Sequence, residues 1–265
     1  VSKADLQGRW ALILGASSGF GAAAARAFAR AGMNILGVHL DSRATLPQAR
    51  QVIADIEAAG GQARFFNINA ADPKKRAQAI EQMAAVLEGQ PIHFLLHSLA
   101  FGALRPYIAA DPAEAISEDD MEMTLRVMAH SLVYWVQELV RAGLLGRGSR
   151  VYALSSAGAE RAVVPYGAVS AAKAALESHV RQLALEVGPL GIAVNCLRPG
   201  VADTPASRII PGYERWAEEA VRRNPSGRLT TPEDVAAVLI ALADPAVTWI
   251  NGAVIAVDGG ETITG

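Results

Sequence analysis

A tyrosine and a lysine stand seven residues apart in the stretch YGAVSAAK, at Tyr166 and Lys173. A phenol can donate a hydrogen bond to a developing oxyanion, and a neighbouring ammonium can keep it polarised. On a helix, residues seven apart return to nearly the same face. They are separated along the axis by about 10 Å, against about 6 Å for a spacing of four. The residue four before Lys173 is Val169, which has no proton to give. The pair therefore suits a reaction in which negative charge develops some way from the carbon that reacts.

A second set of residues implies a bound nucleotide. In LILGASSGFGAAAARAFARAG, Gly15, Gly19 and Gly21 form GxxxGxG directly after a short apolar run and at the opening of an Ala-rich helical pattern. A tight turn, close backbone approach to a pyrophosphate and close helix–strand packing require such glycines. The helix N-terminus offers free N–H groups to the phosphates. Gly15, Ser17, Ser18, Gly19, Phe20 and Gly21 are the expected lining.

The elements that must position these groups alternate along the chain. Strands are expected at Trp10–Leu14, Asn34–Leu40, Ala63–Ile68, Ile92–His97, Arg150–Ser155, Ile192–Leu197 and Ala253–Val257. Helices are expected at Gly19–Ala31, Leu46–Ala59, Lys74–Leu87, Ser117–Ala142, Tyr166–Val187 and Pro232–Ala243. Apolar strands alternating with helices imply right-handed crossovers and a parallel sheet covered on both faces. The expected fold is α/β, a Rossmann-type doubly wound parallel sheet of about seven strands, formed by residues 1–265 as a single domain. The longest irregular stretch, about 201–227, follows a strand and should overhang the carboxyl edge of the sheet, as a mobile substrate-binding loop.

Composition narrows the function classes. The 265 residues include 24 basic and 26 acidic side chains, for a net charge of −2, so nothing points to a nucleic-acid or membrane-surface partner. There is no apolar run of about 18 residues and no leader-like N-terminus, so a cytoplasmic protein is expected. Cys196 is the only cysteine and reads as a buried thiol. No HExxH, cysteine cluster or paired-carboxylate spacing occurs, so no metal site is expected.

Several stretches resemble the short-chain dehydrogenase/reductase family. Besides GASSGFG, INGAVIAVDGG (Ile250–Gly260) is similar to its last strand and tail, and VNCLRPG (Val194–Gly200) to its sixth strand and the turn at the nicotinamide. NPSGRLTTPEDVA (Asn224–Ala236) is similar to its lead-in to the last helix. The resemblance implies NAD(P)(H), hydride transfer and usually a tetramer. It implies nicotinamide-side contacts at Ser98, Leu99, Ala100, Pro199, Gly200, Val201, Ala202 and Thr204, and adenine-side contacts at Asn69 and Ala70. At the adenosine ribose, Asp41 would bind a free hydroxyl, whereas His39 and Arg43 would meet a 2′-phosphate; the reading leans to NADP(H) over NAD(H).

Common members of that family carry YxxxK, and this chain has VSAAK there. Gly158–Asn195, beginning GAERAVVPYGAVSAAK, resembles the divergent enoyl-acyl-carrier-protein reductases, as does HSLAF (His97–Phe101). The resemblance implies Tyr166 as enolate donor, Lys173 as ribose anchor, and a partner acyl carrier protein, or acyl-CoA, bearing the enoyl group. Phe101, Ser156 and Trp216 are further substrate candidates. Ser156 stands where many divergent reductases have a second tyrosine, and CLRPGVADTP is closer to a ketoreductase turn. A 3-oxoacyl or ketone reductase, and a non-catalytic nucleotide-binding protein, remain as alternatives. His97 reads as a satisfied core histidine.

Overall fold

Strands buried on both faces read as apolar runs rather than alternating ones; seven strands build the sheet, the inner ones of this kind and the edge strands at Ala63–Asn67 and Val254–Val257 only partly buried. The seven are β1 (Trp10–Leu14), β2 (Asn34–His39), β3 (Ala63–Asn67), β4 (Ile92–His97), β5 (Arg150–Leu154), β6 (Ala193–Pro199) and β7 (Val254–Val257). Every residue of β1, β4 and β5 is buried. The computed structural model describes residues 6–264. All pairings are parallel, in the order β3-β2-β1-β4-β5-β6-β7.

Two helical layers cover the sheet. On one face, α1 (Gly19–Arg30), α2 (Leu46–Ala58) and α9 (Pro232–Leu242) bury Phe28, Ile56 and Leu239. On the other, α3 (Pro73–Leu87), α5 (Ser131–Arg141) and α6 (Gly167–Val187) bury Met83, Trp135 and Leu176. The chain winds outward from β1 to β3, then returns past β1 to β4. That reversal leaves a crevice at the carboxyl ends of β1 and β4, where ligands bind in such sheets. Among the described residues no helix is long and apolar enough to cross a membrane.

The structure departs from the sequence expectation in two places that matter to the site. The helix expected over Ser117–Ala142 is divided into α4 (Glu118–Leu125), a π turn (Arg126–His130) and α5. The Ser131 hydroxyl donates to Val127 O at 2.7 Å, the local back-bonding by which serine bends helices. The apolar period continues through the turn, so the sequence shows no break.

The stretch 201–227, expected to be irregular, contains α7 (Pro205–Arg208) and α8 (Tyr213–Arg223). Thr204 caps α7, with Ser207 N donating to Thr204 Oγ1 at 3.2 Å and Thr204 N to Ser207 Oγ at 2.8 Å. Helix α8 carries Tyr213, Trp216, Ala217, Ala220 and Val221 at helical spacing among its charged residues and buries Tyr213 and Ala220, so the period that marks it is present in the sequence. Helix α6 begins one residue later than expected because Tyr166 is its N-cap.

Thr231 caps α9: Asp234 N donates to its hydroxyl at 3.2 Å, and Thr231 N donates to the Asp234 carboxylate at 2.8 Å. Thr231→Ala should cost about 1 kcal/mol in equilibrium unfolding. An unchanged denaturant midpoint would show that the cap contributes nothing.

Candidate active site

The glycine loop is built as its spacing requires. Gly15 has φ +94° and Gly19 φ +51°, conformations that favour glycine. A Cβ on Gly15 would lie 2.4 Å from Ser98 O, and one on Gly21 would lie 1.9 Å from Gly15 O. The turn therefore closes against the loop after β4, whose Ser98 N donates to Leu14 O at 2.8 Å. This cradle fits a pyrophosphate at the N-terminus of α1.

At the carboxyl end of β2, Asp41 accepts from His39 Nδ1 at 2.7 Å, and both side chains are nearly buried. Burial alone would raise the Asp41 carboxyl; hydrogen bonds from Thr45, Ser17 and His39 outweigh it and hold the group below its ordinary value. An ionised carboxylate is thus fixed against Ser17 of the glycine loop. Arg43 lies exposed beside it. Asn69 follows β3 and lines a separate cavity of about 560 Å³ with Arg126 and Val127. The adjoining Ala70 is buried, its carbonyl accepting from Trp135 Nε1 at 2.9 Å.

A cavity of about 420 Å³ gathers the remaining candidates. Phe20, Ser98, Leu99, Ala100, Pro199, Gly200, Val201, Ala202 and Thr204 form its cofactor side, and Ser156, Tyr166, Lys173 and Trp216 its other side. Phe101 is not among its walls; at 63 % exposure it faces solvent beside the cleft.

Lys173 is buried with its ammonium donating to Leu154 O at 2.7 Å and lying 3.5 Å from Leu99 O. Burial lowers its pKa to about 8, with Glu177 acting in the opposite sense. Cys196 is buried nearby, and its thiol is pushed up to about 12 by the same desolvation. It is therefore uncharged at neutral pH.

Tyr166 caps α6, and its ring meets Trp216 edge-on, with centroids 6.0 Å apart at 82°. Burial raises its pKa, and a hydrogen bond with Ser156 acts against the rise, so the phenol keeps its proton at neutral pH. Ser156 also accepts from Gly158 N at 3.1 Å. Val169 lines the cavity with an alkyl side chain. The neighbouring Ser155 also lines the cavity, with its hydroxyl donating to Glu177 at 2.6 Å, and Glu177 pairs with Arg198 at 3.0 Å.

Arg161, Tyr213, Arg223 and Glu261 also line the cavity without having been expected. Arg223 lies seven residues after Trp216 on the same face of α8, so recognising that helix would have found it. Glu261 accepts from Val201 N at 2.9 Å, a long-range contact with no local signal.

A family model described as enoyl-(acyl carrier protein) reductase matches residues 15–262. The chain belongs to the short-chain dehydrogenase/reductase family. Two curated members are similar over nearly their whole lengths. The D-threitol dehydrogenase of Mycolicibacterium smegmatis is 30% identical, over 97% of this chain and 94% of its own. The 1-cyclohexenylcarbonyl-CoA reductase of Streptomyces collinus is 31% identical, over 95% and 86%. Two solved members share the fold. An enoyl-[acyl-carrier-protein] reductase (NADH) from Aquifex aeolicus VF5 superposes with a TM-score of 0.85 at 25% identity, covering 98% of each chain. A short-chain dehydrogenase from Burkholderia cenocepacia J2315 in complex with NADP gives 0.83 at 30%, covering 97% and 99%. The family and the cradle together support a nicotinamide cofactor.

Gly158 is the point at which the loop before α6 touches the phenol: a Cβ there would lie 2.6 Å from Tyr166 Cε1. Gly158→Ala should therefore displace the ring and lower turnover while melting changes little. Unaltered turnover would show that the ring position is not set there.

Proposed function

We propose that the protein is an enoyl-thioester reductase, saturating the trans-2 double bond of an acyl group carried on acyl carrier protein. The observation that carries this reading is the phenol at the N-cap of α6, in the same cavity as Lys173, with an alkyl side chain at Val169 where a ketone-reducing site has its tyrosine. Residues Gly15–Gly21 would hold the cofactor's pyrophosphate, and Lys173 its nicotinamide ribose. When bound, the reduced nicotinamide supplies a hydride to Cβ of the substrate.

The rest is the work of the chain's own groups. Electron density displaced from the double bond collects on the thioester oxygen, two carbons beyond Cβ. A protonated phenol set further from the lysine reaches that oxygen and stabilises the enolate, as preorganised donors do for oxyanions. Ser156, hydrogen-bonded to Tyr166, supports the phenol from the other side. Protonation at Cα then gives the saturated thioester. Trp216 covers the phenol and keeps water from it.

The name of the Streptomyces collinus relative supports an unsaturated thioester and makes acyl-CoA the second carrier to test. The D-threitol dehydrogenase keeps ketone reduction as the competing chemistry. Val169 favours the enoyl reading over it. The stretch 201–227, with α7 and α8, is read as the part of the domain that holds the acyl group.

Under saturating cofactor, Tyr166→Phe should lower kcat with a crotonyl thioester by on the order of a hundredfold, with cofactor affinity little changed. Val169→Ala should keep most activity. A Tyr166→Phe enzyme close to wild type would mean that another group is the donor.

At the ribose end, the Asp41 carboxylate penalises a 2′-phosphate, while His39 and Arg43 on the same rim are the groups that would favour one. Asp41→Ser should raise kcat/KM for NADPH relative to NADH by on the order of tenfold. A ratio that stays constant would remove Asp41 from cofactor selection.

A further inference from the structure

His97, at the end of β4, is buried and only half satisfied. The Ser131 hydroxyl donates to Val127 O at 2.7 Å, so its oxygen is left to accept from His97 Nε2 at 2.8 Å. The ring proton is therefore on Nε2, and Nδ1 carries a lone pair. That Nδ1 is buried with no hydrogen-bond partner among the described residues. A core histidine held only for packing would have both nitrogens met, since an unmade buried hydrogen bond is costly.

The cation that acts on it is Lys173, whose ammonium reaches Leu99 O two residues further along the chain. Helices α5 and α6 cover the same face of the sheet, and the lysine's charge acts on the imidazole; burial and then that charge drop it to about 3, against the opposing pull of the residue's own backbone. An ammonium has three N–H groups. One is used at 2.7 Å on Leu154 O, and Leu99 O at 3.5 Å is at the limit of a hydrogen bond.

The other groups facing this lysine offer it little. From β6, Cys196 is an uncharged thiol at neutral pH. From the start of α6, Tyr166 is an uncharged phenol. Glu177, one turn along α6, is an anion that acts on it, and Ser155 and Arg198 already share its carboxylate. His97 Nδ1, from β4, is a buried acceptor that no group among the described residues meets.

We propose that His97 is a positioning residue whose bare Nδ1 takes a hydrogen bond from the Lys173 ammonium through one bridging water, keeping the lysine charged and aimed at the cleft. The inference rests on the reading of Lys173 as the cation that holds the ribose. Burial sets the lysine near 8, so a single extra acceptor decides how much of it is charged at and above neutral pH.

Two isosteres separate the ring nitrogens. In His97→Gln the amide nitrogen takes the place of Nε2 and keeps the Ser131 bond, while the Nδ1 acceptor is lost. In His97→Asn the amide oxygen takes the place of Nδ1 and the Ser131 bond is lost. The chain has only four lysines, Lys3, Lys74, Lys75 and Lys173, so ε-¹³C-lysine NMR, assigned with Lys173→Arg, follows the titration directly.

The wild-type imidazole should be the Nε2–H tautomer and should not titrate between about pH 5 and about 9. His97→Gln should lower the Lys173 midpoint by about half to one pH unit, and His97→Asn should leave it near wild type. The ammonium is the working form, so the high-pH limb of kcat/KM in His97→Gln should move to lower pH by the same amount. An Nδ1–H tautomer in wild type, or a Lys173 midpoint unmoved in folded His97→Gln, overturns the proposal; the tautomer decides even if the variant fails to fold. A lysine that shifts while the rate profile does not would leave His97 in its role and overturn the role given to Lys173.

Discussion

A charged lysine under the carboxyl edge of a parallel sheet is the constraint around which the site is arranged. Burying an ammonium is expensive unless acceptors meet it. The acceptors here are the carbonyls that end β5 and follow β4, Leu154 O and Leu99 O. Those two strands are neighbours in the sheet, and the reversal that sets β4 beside β1 opens the crevice that receives a nucleotide. The lysine comes from the second turn of α6, so sheet order, helix position and charge are fixed together.

From that lysine the rest of the site is a matter of reach. The phenol leaves the helix at its N-cap instead of its first turn. It is held there from three sides: by Ser156, by Trp216 on α8, and by the close approach of Gly158. Ser170 and Arg198 tie down the loop that carries Gly158 and Glu160, Ser170 donating to Gly158 O and Arg198 to Glu160. A donor displaced along the helix axis matches charge displaced along a conjugated substrate, which is why spacing bears on chemistry at all.

Much of this was legible in the sequence because it is periodic or local. The strands are short, mainly apolar runs with edges at the expected residues or one or two away. The glycine turn announces itself by spacing, and Tyr166 and Lys173 by their place on one helix. What was not legible depends on tertiary contact. The π turn has no breaker residue, because Ser131 acts through a backbone carbonyl one turn back. Helix α8 is the exception: its inner face, Tyr213, Trp216, Ala217, Ala220 and Val221, recurs at helical spacing among six charged residues and was there to be read. Phe101 sits in a motif that suggests a wall, yet it faces solvent. His97 reads as an ordinary core residue until its two nitrogens are traced separately, one to Ser131 and one to no partner among the described residues.

The most direct measurement of the central claim is the product formed by the wild-type protein from crotonyl and acetoacetyl thioesters, offered separately on acyl carrier protein with NADH and NADPH. The account predicts nicotinamide oxidation with the crotonyl thioester and recovery of the butyryl thioester, with the acetoacetyl thioester turned over slowly or not at all. Efficient formation of the 3-hydroxybutyryl thioester, with crotonyl left unreduced, would contradict it.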